Sequence, residues 1–192
     1  MLLMIKAKGA MTMSRKLIIF YSRTDTTRML AGDLAKELGA DMVAIQERKS
    51  RKGIKGYLSC LLDASRGMMT PIEPLSVDPS SYDLVLLGTP VWAARPSCPM
   101  RRFLTDAAHM LPATAYFCTY GGRGHETTFN EMCDLDGKPP IATLAVPRSE
   151  VLQGDYTAKL DRFVARLARA EHWREVTAPA EHAGRGEILN RH

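Results

Sequence analysis

The sequence is short of the features that most quickly assign a function. Its 192 residues include four cysteines, Cys60, Cys98, Cys118 and Cys133, and no two of them form a C-x-x-C pair. That spacing argues against a disulfide framework. Cys60 and Cys118 lie in apolar runs, so buried free thiols in a reducing cytoplasm are expected. No apolar run approaches the ~20 residues of a membrane-spanning helix. The histidines at positions 109, 125, 172, 182 and 192 lack metal-ligand spacing, and only His125 falls in a loop of interest. Ser22 has no histidine placed for a nucleophile elbow, which removes support for hydrolase chemistry. A Gly-Lys-Ser/Thr phosphate loop for nucleoside triphosphates is absent as well. Neither an internal repeat nor a low-complexity segment interrupts the chain.

The sequence does carry ordinary globular composition, 45% hydrophobic and 24% charged, at a length suited to one domain with a sizeable core. The formal charge is +5, with much of the excess in Arg48-Lys49-Ser50-Arg51-Lys52-Gly53-Ile54-Lys55. No aromatic residue is interleaved there, so a solvated loop is expected and nucleic acid is not. Residues 1–14 read as a flexible leader, because lysines follow the short apolar start rather than precede it. Residues 15–172 read as the domain, and 173–192 as a polar, fraying tail.

The most informative stretch runs from Lys16 to Leu38. Leu17 to Tyr21 is continuously apolar and of strand length, as a strand buried on both faces reads. Ser22-Arg23-Thr24-Asp25-Thr26-Thr27 then places four hydroxyls in six residues. From Arg28 onward Leu30, Leu34 and Leu38 recur at helical spacing, and Gly39 stands as a stop. One threonine would serve as a helix cap. Four hydroxyls flanked by two arginines exceed that need and suggest a phosphate site, where orphan helix N–H groups and the helix dipole favour an anion.

Further strands are expected at Met42–Ile45, Leu84–Gly88, Ala115–Thr119 and Ile141–Val146. Ile54, Tyr57, Leu58, Leu61 and Leu62 space as an amphipathic helix ending near Gly67, and residues 68–81 as a long connection. Thr89-Pro90-Val91-Trp92-Ala93-Ala94-Arg95-Pro96 reads as a loop because of its prolines. A helix follows from about Cys98 to Met110 with Pro99 in its first turn. Thr119-Tyr120-Gly121-Gly122-Arg123-Gly124 is a glycine loop leading into a short helix, and a last helix carries Leu160, Phe163, Val164 and Leu167, with Asp155 as its cap. Buried strands alternating with helices imply an α/β fold: a three-layer, doubly wound, five-stranded parallel sheet.

Ser22-Arg23-Thr24-Asp25-Thr26-Thr27 resembles the phosphate loop of the flavodoxin-like family, Ser/Thr-x-Thr-Gly-x-Thr. Asp25 stands in place of its glycine. Gly88-Thr89-Pro90-Val91-Trp92 resembles the family's second flavin loop, where an aromatic stacks on the ring, with Ala94 where related sequences often have glycine. Thr119-Tyr120-Gly121-Gly122-Arg123-Gly124 resembles the third. The resemblance spans roughly residues 16–170 and implies strand order 2-1-3-4-5 with flavin mononucleotide (FMN) at the switch between strands 1 and 3. It places the cofactor site at Ser22, Arg23, Thr24, Asp25, Thr26, Thr27, Thr89, Pro90, Val91, Trp92, Ala93, Thr119, Tyr120, Gly121, Gly122 and Gly124, with no protein nucleophile. It further implies oxidoreductase or electron-transfer chemistry with a small-molecule or protein redox partner, possible partners including NAD(P)H and quinones. The basic charge favours a reductase over an acidic electron shuttle. The alternative is a flavodoxin-fold binding or scaffolding protein that has lost flavin, for which Asp25 and Ala94 are the evidence.

Overall fold

The computed structural model describes residues 14–48 and 70–177. The expected leader, the helix from Ile54 to Gly67, most of the basic stretch and the tail beyond residue 177 lie outside the described residues.

Five parallel strands form the sheet: β1 (Lys16–Phe20), β2 (Asp41–Ala44), β3 (Leu84–Trp92), β5 (Ala113–Tyr120) and β6 (Thr143–Pro147). Their order is β2-β1-β3-β5-β6, and the short β4 (Arg95–Pro96) pairs antiparallel with the end of β3. With that hairpin strand left out of the count, this is the expected order 2-1-3-4-5. The helices are α1 (Thr26–Leu38), α2 (Cys98–Ala107), α3 (His125–Asp136), α4 (Arg148–Gln153) and α5 (Thr157–Thr177).

Continuous apolar strands are needed because both sheet faces are covered. Side chains alternate across a strand, so Leu17, Ile19, Val85, Leu87 and Tyr116 enter one core with Phe103 and Leu104 of α2 and Met132 of α3. Ile18, Phe20, Leu84, Leu86 and Phe117 enter the other with Leu30 and Leu34 of α1 and Leu160, Phe163 and Leu167 of α5. At Gly88 the strand has no room for a side chain, since a Cβ there would lie 2.0 Å from the Phe117 ring.

Three expectations need correction. The segment from Thr89 to Trp92 is strand, not loop, because β3 runs on past β1. Gly88 gives its carbonyl to the Tyr21 N–H. Hydrogen-bonding groups alternate sides along a strand, so Pro90 faces the same way, where β1 has already turned off. Proline fits there because no N–H is left orphaned. The helix α4 was not expected. It also displaces the proposed cap: α5 starts at Thr157, and the carbonyl of Tyr156, not Asp155, accepts from the Leu160 N–H.

Candidate functional site

At the carboxyl edge of the sheet, Ser22 to Asp25 carry the chain from β1 into α1. Asp25 holds the N-cap position in the left-handed conformation, φ 57° and ψ −7°, and its side chain makes no capping bond. Aspartate tolerates that conformation better than most residues do. Its Oδ1 lies 3.1 Å from Arg28 Nε in an exposed pair, so the arginine holds the carboxylate at the surface. Capping is done from further back: the Arg28 N–H donates to Ser22 Oγ at 3.2 Å. The first N–H groups of a helix have no partner within it, and those of Thr26 and Thr27 find none elsewhere among the described residues. No acidic residue occupies the first turn.

The end of β3 turns back on itself through Ala93 and Ala94, both at positive φ, 49° and 61°. A two-residue hairpin turn with both central φ positive normally takes Asn-Gly, so two alanines there are strained, and neighbours hold them. Thr127 Oγ1 donates to the Ala94 carbonyl at 2.8 Å. Arg95 grips Glu131 with two bonds of 2.8 Å, and Arg101 adds a third of 2.6 Å. Burial alone would raise the Glu131 carboxyl, but the bonds and charges of Arg95 and Arg101 outweigh it and hold it below the usual range. Gly124, at φ 96°, lets α3 approach the turn, for a Cβ there would meet Ala94 at 2.6 Å. Thr89 is likewise a fastener: its hydroxyl lies 3.0 Å from the Ser97 Oγ and accepts from the Ser97 N–H at 3.0 Å.

Between these loops lies a cavity of about 400 Å³ lined by Arg23, Thr24, Thr26, Thr27, Pro90, Val91, Trp92, Thr119, Tyr120, Gly121 and Arg148. Its volume falls in the range of small-molecule sites. The buried hydroxyls of Thr27 and Thr119 meet at 2.8 Å and join α1 to β5 beneath it. Trp92 is buried, its ring edge-on to Tyr21 at 5.6 Å. Tyr120 is backed by His125, the rings stacked 4.7 Å apart. Gly121 and Gly122 have open space where a Cβ would stand, which is room for a flat ligand to approach the backbone. Both charged lining residues are cationic, Arg23 and Arg148.

Ten of the sixteen residues singled out from the sequence thus line one cavity. Ser22, Asp25, Thr89, Ala93, Gly122 and Gly124 do not, and four of these six shape the loops through the contacts given above. Arg148 was missed. Its signal was positional: it follows β6 at the same carboxyl edge, where loops of this architecture meet a ligand. A larger groove, about 740 Å³, lies along α2 and the connection through Ile72, Leu75 and Val77. None of the three loops reaches it, and Arg48 and Pro71 on its rim flank the undescribed stretch 49–69.

The free thiols Cys98 and Cys118 are buried and Cys133 is half-buried; burial pushes the Cys118 thiol far up, which makes it inert. Among the described residues no group of histidine, cysteine and acidic side chains is arranged to hold a metal, and no helix is long and apolar enough to cross a membrane.

No family model and no curated protein sequence matches the chain. Solved structures do. A flavoprotein of Lactobacillus acidophilus in complex with FMN is 24% identical, with a TM-score of 0.59 over 73% of this chain and 97% of that one. The apo form of the flavoprotein from the same organism gives 21% identity and a TM-score of 0.53 over 72% and 95%. A WrbA-like flavodoxin of Agrobacterium tumefaciens is 14% identical, with a TM-score of 0.51 over 83% and 99%. At these identities the likeness is one of fold, and the fold is flavodoxin-like.

Proposed function

We propose that this flavodoxin-like chain binds FMN and works as an FMN-dependent oxidoreductase or electron-transfer protein. The observation that carries the reading is the cavity at the switch between β1 and β3. It is lined by Thr26 and Thr27, whose N–H groups have no partner among the described residues, and by Thr24, Arg23 and Arg148, a set of donor residues suited to a phosphate. Trp92 and Tyr120 supply aromatic walls for a ring system, and the Gly121–Gly122 backbone is open to its polar edge. When bound, FMN supplies reversible one- and two-electron chemistry, and the chain binds, orients and shields it.

The residues favour a reductase over a low-potential shuttle. Both charged residues on the cavity wall are cations and none is acidic, and the whole chain carries +5. A negative charge gained on reduction is stabilised in such surroundings. The partner is then a small molecule or protein able to approach a basic rim, nicotinamide dinucleotides and quinones among the candidates.

Titration of the flavin-free protein with FMN, followed by quenching of flavin fluorescence, tests the reading. Saturable binding at one site is expected, weakened on the order of tenfold or more by Arg148→Gln and with quenching relieved by Trp92→Ala. Absence of binding would return the chain to the scaffolding reading. Equal affinity with Arg148→Gln would remove that residue from the site.

A further inference from the structure

Behind the cavity wall lies a chain of contacts that ligand binding does not require. Trp92 is edge-on to Tyr21, ring centres 5.6 Å apart. The Tyr21 hydroxyl donates to Glu47 Oε1 at 2.5 Å. The other oxygen of that carboxylate, Oε2, is buried and has no hydrogen-bond partner among the described residues. Packing alone explains neither end of this arrangement. A phenylalanine would fill the place of Tyr21 against Trp92, and a buried carboxylate oxygen left without a partner lowers stability.

We propose that Trp92, Tyr21 and Glu47 form a relay that moves an oxidising equivalent from the cavity wall into the protein with its proton accounted for. When a one-electron oxidant takes an electron from the Trp92 indole, Tyr21 returns an electron to the indole. The phenolic proton of Tyr21 passes to Glu47 along the existing hydrogen bond. An indole radical cation, a neutral phenol and a carboxylate become a neutral indole, a neutral tyrosyl radical and a carboxylic acid. The net charge of the three groups is zero before and after, and the step ends with no charged group among them. Loss of charge favours the forward direction in a buried site, where isolated charges are costly. An oxidised phenol is strongly acidic, so tyrosine oxidation needs a proton acceptor at hand, and Glu47 is already bonded to the departing proton. The relay thereby drains the indole before it reacts irreversibly. All three groups belong to this chain, so the inference stands apart from the cofactor reading.

The test uses the flavin-free full-length protein with the second tryptophan removed by Trp173→Phe. Azide radicals produced by pulse radiolysis oxidise tryptophan, and the indole and tyrosyl absorptions are followed in time. Decay of the indole signal with matching first-order growth of the tyrosyl signal, at a rate independent of protein concentration, is expected. Tyr21→Phe keeps the ring and should abolish the growth, while Glu47→Gln should slow it on the order of tenfold or more. If Tyr21→Phe does not fold, the Glu47→Gln rate and the slowing of the unaltered protein in deuterated water decide the matter. Growth that survives Tyr21→Phe, scales with protein concentration, or is unchanged by Glu47→Gln would overturn the relay and leave Tyr21 as a prop for Trp92.

Discussion

At the scale of the residue, Asp25 is where chemistry and sequence pattern are most at odds. A carboxylate beside a phosphate loop repels the ligand, yet this one takes the left-handed conformation and is paired with Arg28. That pair is exposed, with side-chain exposures of 49% and 74%, so it gives little stability and matters for where it holds the charge. Asp25→Gly keeps the backbone conformation and removes the repulsion. It should tighten FMN by roughly three- to tenfold at low ionic strength, and the gain should shrink as salt is added. Isothermal titration across a salt series checks this, and an affinity equal to that of the parent would show that Arg28 already cancels the charge. The tolerance of aspartate for positive φ was legible in the sequence. The role of Ser22 was not, because a hydroxyl that caps a helix from six residues away gives no local pattern.

At the scale of the element, the β3–β4 hairpin was the least legible part. Its prolines signal a loop, and only the point at which β1 turns away decides otherwise. Nothing local marks Ala93 and Ala94 for positive φ either; the contacts that impose it come from α3. Glu131 is the fastener. Glu131→Gln removes the carboxylate that binds both Arg95 and the buried Arg101, whose side chain is 7% exposed, and should cost on the order of 3 kcal/mol. The Glu131 carboxyl is depressed from its ordinary 4.5. Its stabilising contribution is therefore whole above about pH 4.5 and is lost as the pH falls through the lower folded value. Thermal melts should show a shallower acid limb in the glutamine variant.

The start of α5 shows the opposite sign. Tyr156 donates to Asp33 of α1, and burial first, then that bond, pushes the phenol up to about 12 from 10.0. This contribution is whole below pH 10 and is lost as the pH rises towards 12. Tyr156→Phe should be less stable at neutral pH by about 1 kcal/mol, with the difference closing over that alkaline window. A constant difference to high pH would mean that the contact stabilises by packing alone.

At the scale of the molecule, the buried strands and the covering of both sheet faces were legible because such a sheet demands continuous apolar strands, as at Leu17–Phe20 and Leu84–Leu87; their order was legible only through the loops' resemblance to the flavodoxin-like family. Short α4 was missed because its six residues are fewer than two helical turns and show no period. Arg148 was missed along with it. The site draws together what the chain keeps apart. The hydroxyls of Thr27 and Thr119 meet across 92 positions, and the cavity wall reaches from Arg23 to Arg148. A contact of that span closes late, after the loop entropy of the intervening strands has been overcome. A ligand held there has little to grip in the folding transition state. FMN should therefore leave the refolding rate in stopped-flow measurements unchanged and slow unfolding in proportion to its occupancy. On a ribosome, a nascent chain that has not yet delivered β5 would have the phosphate loop in hand and no pocket to put it in.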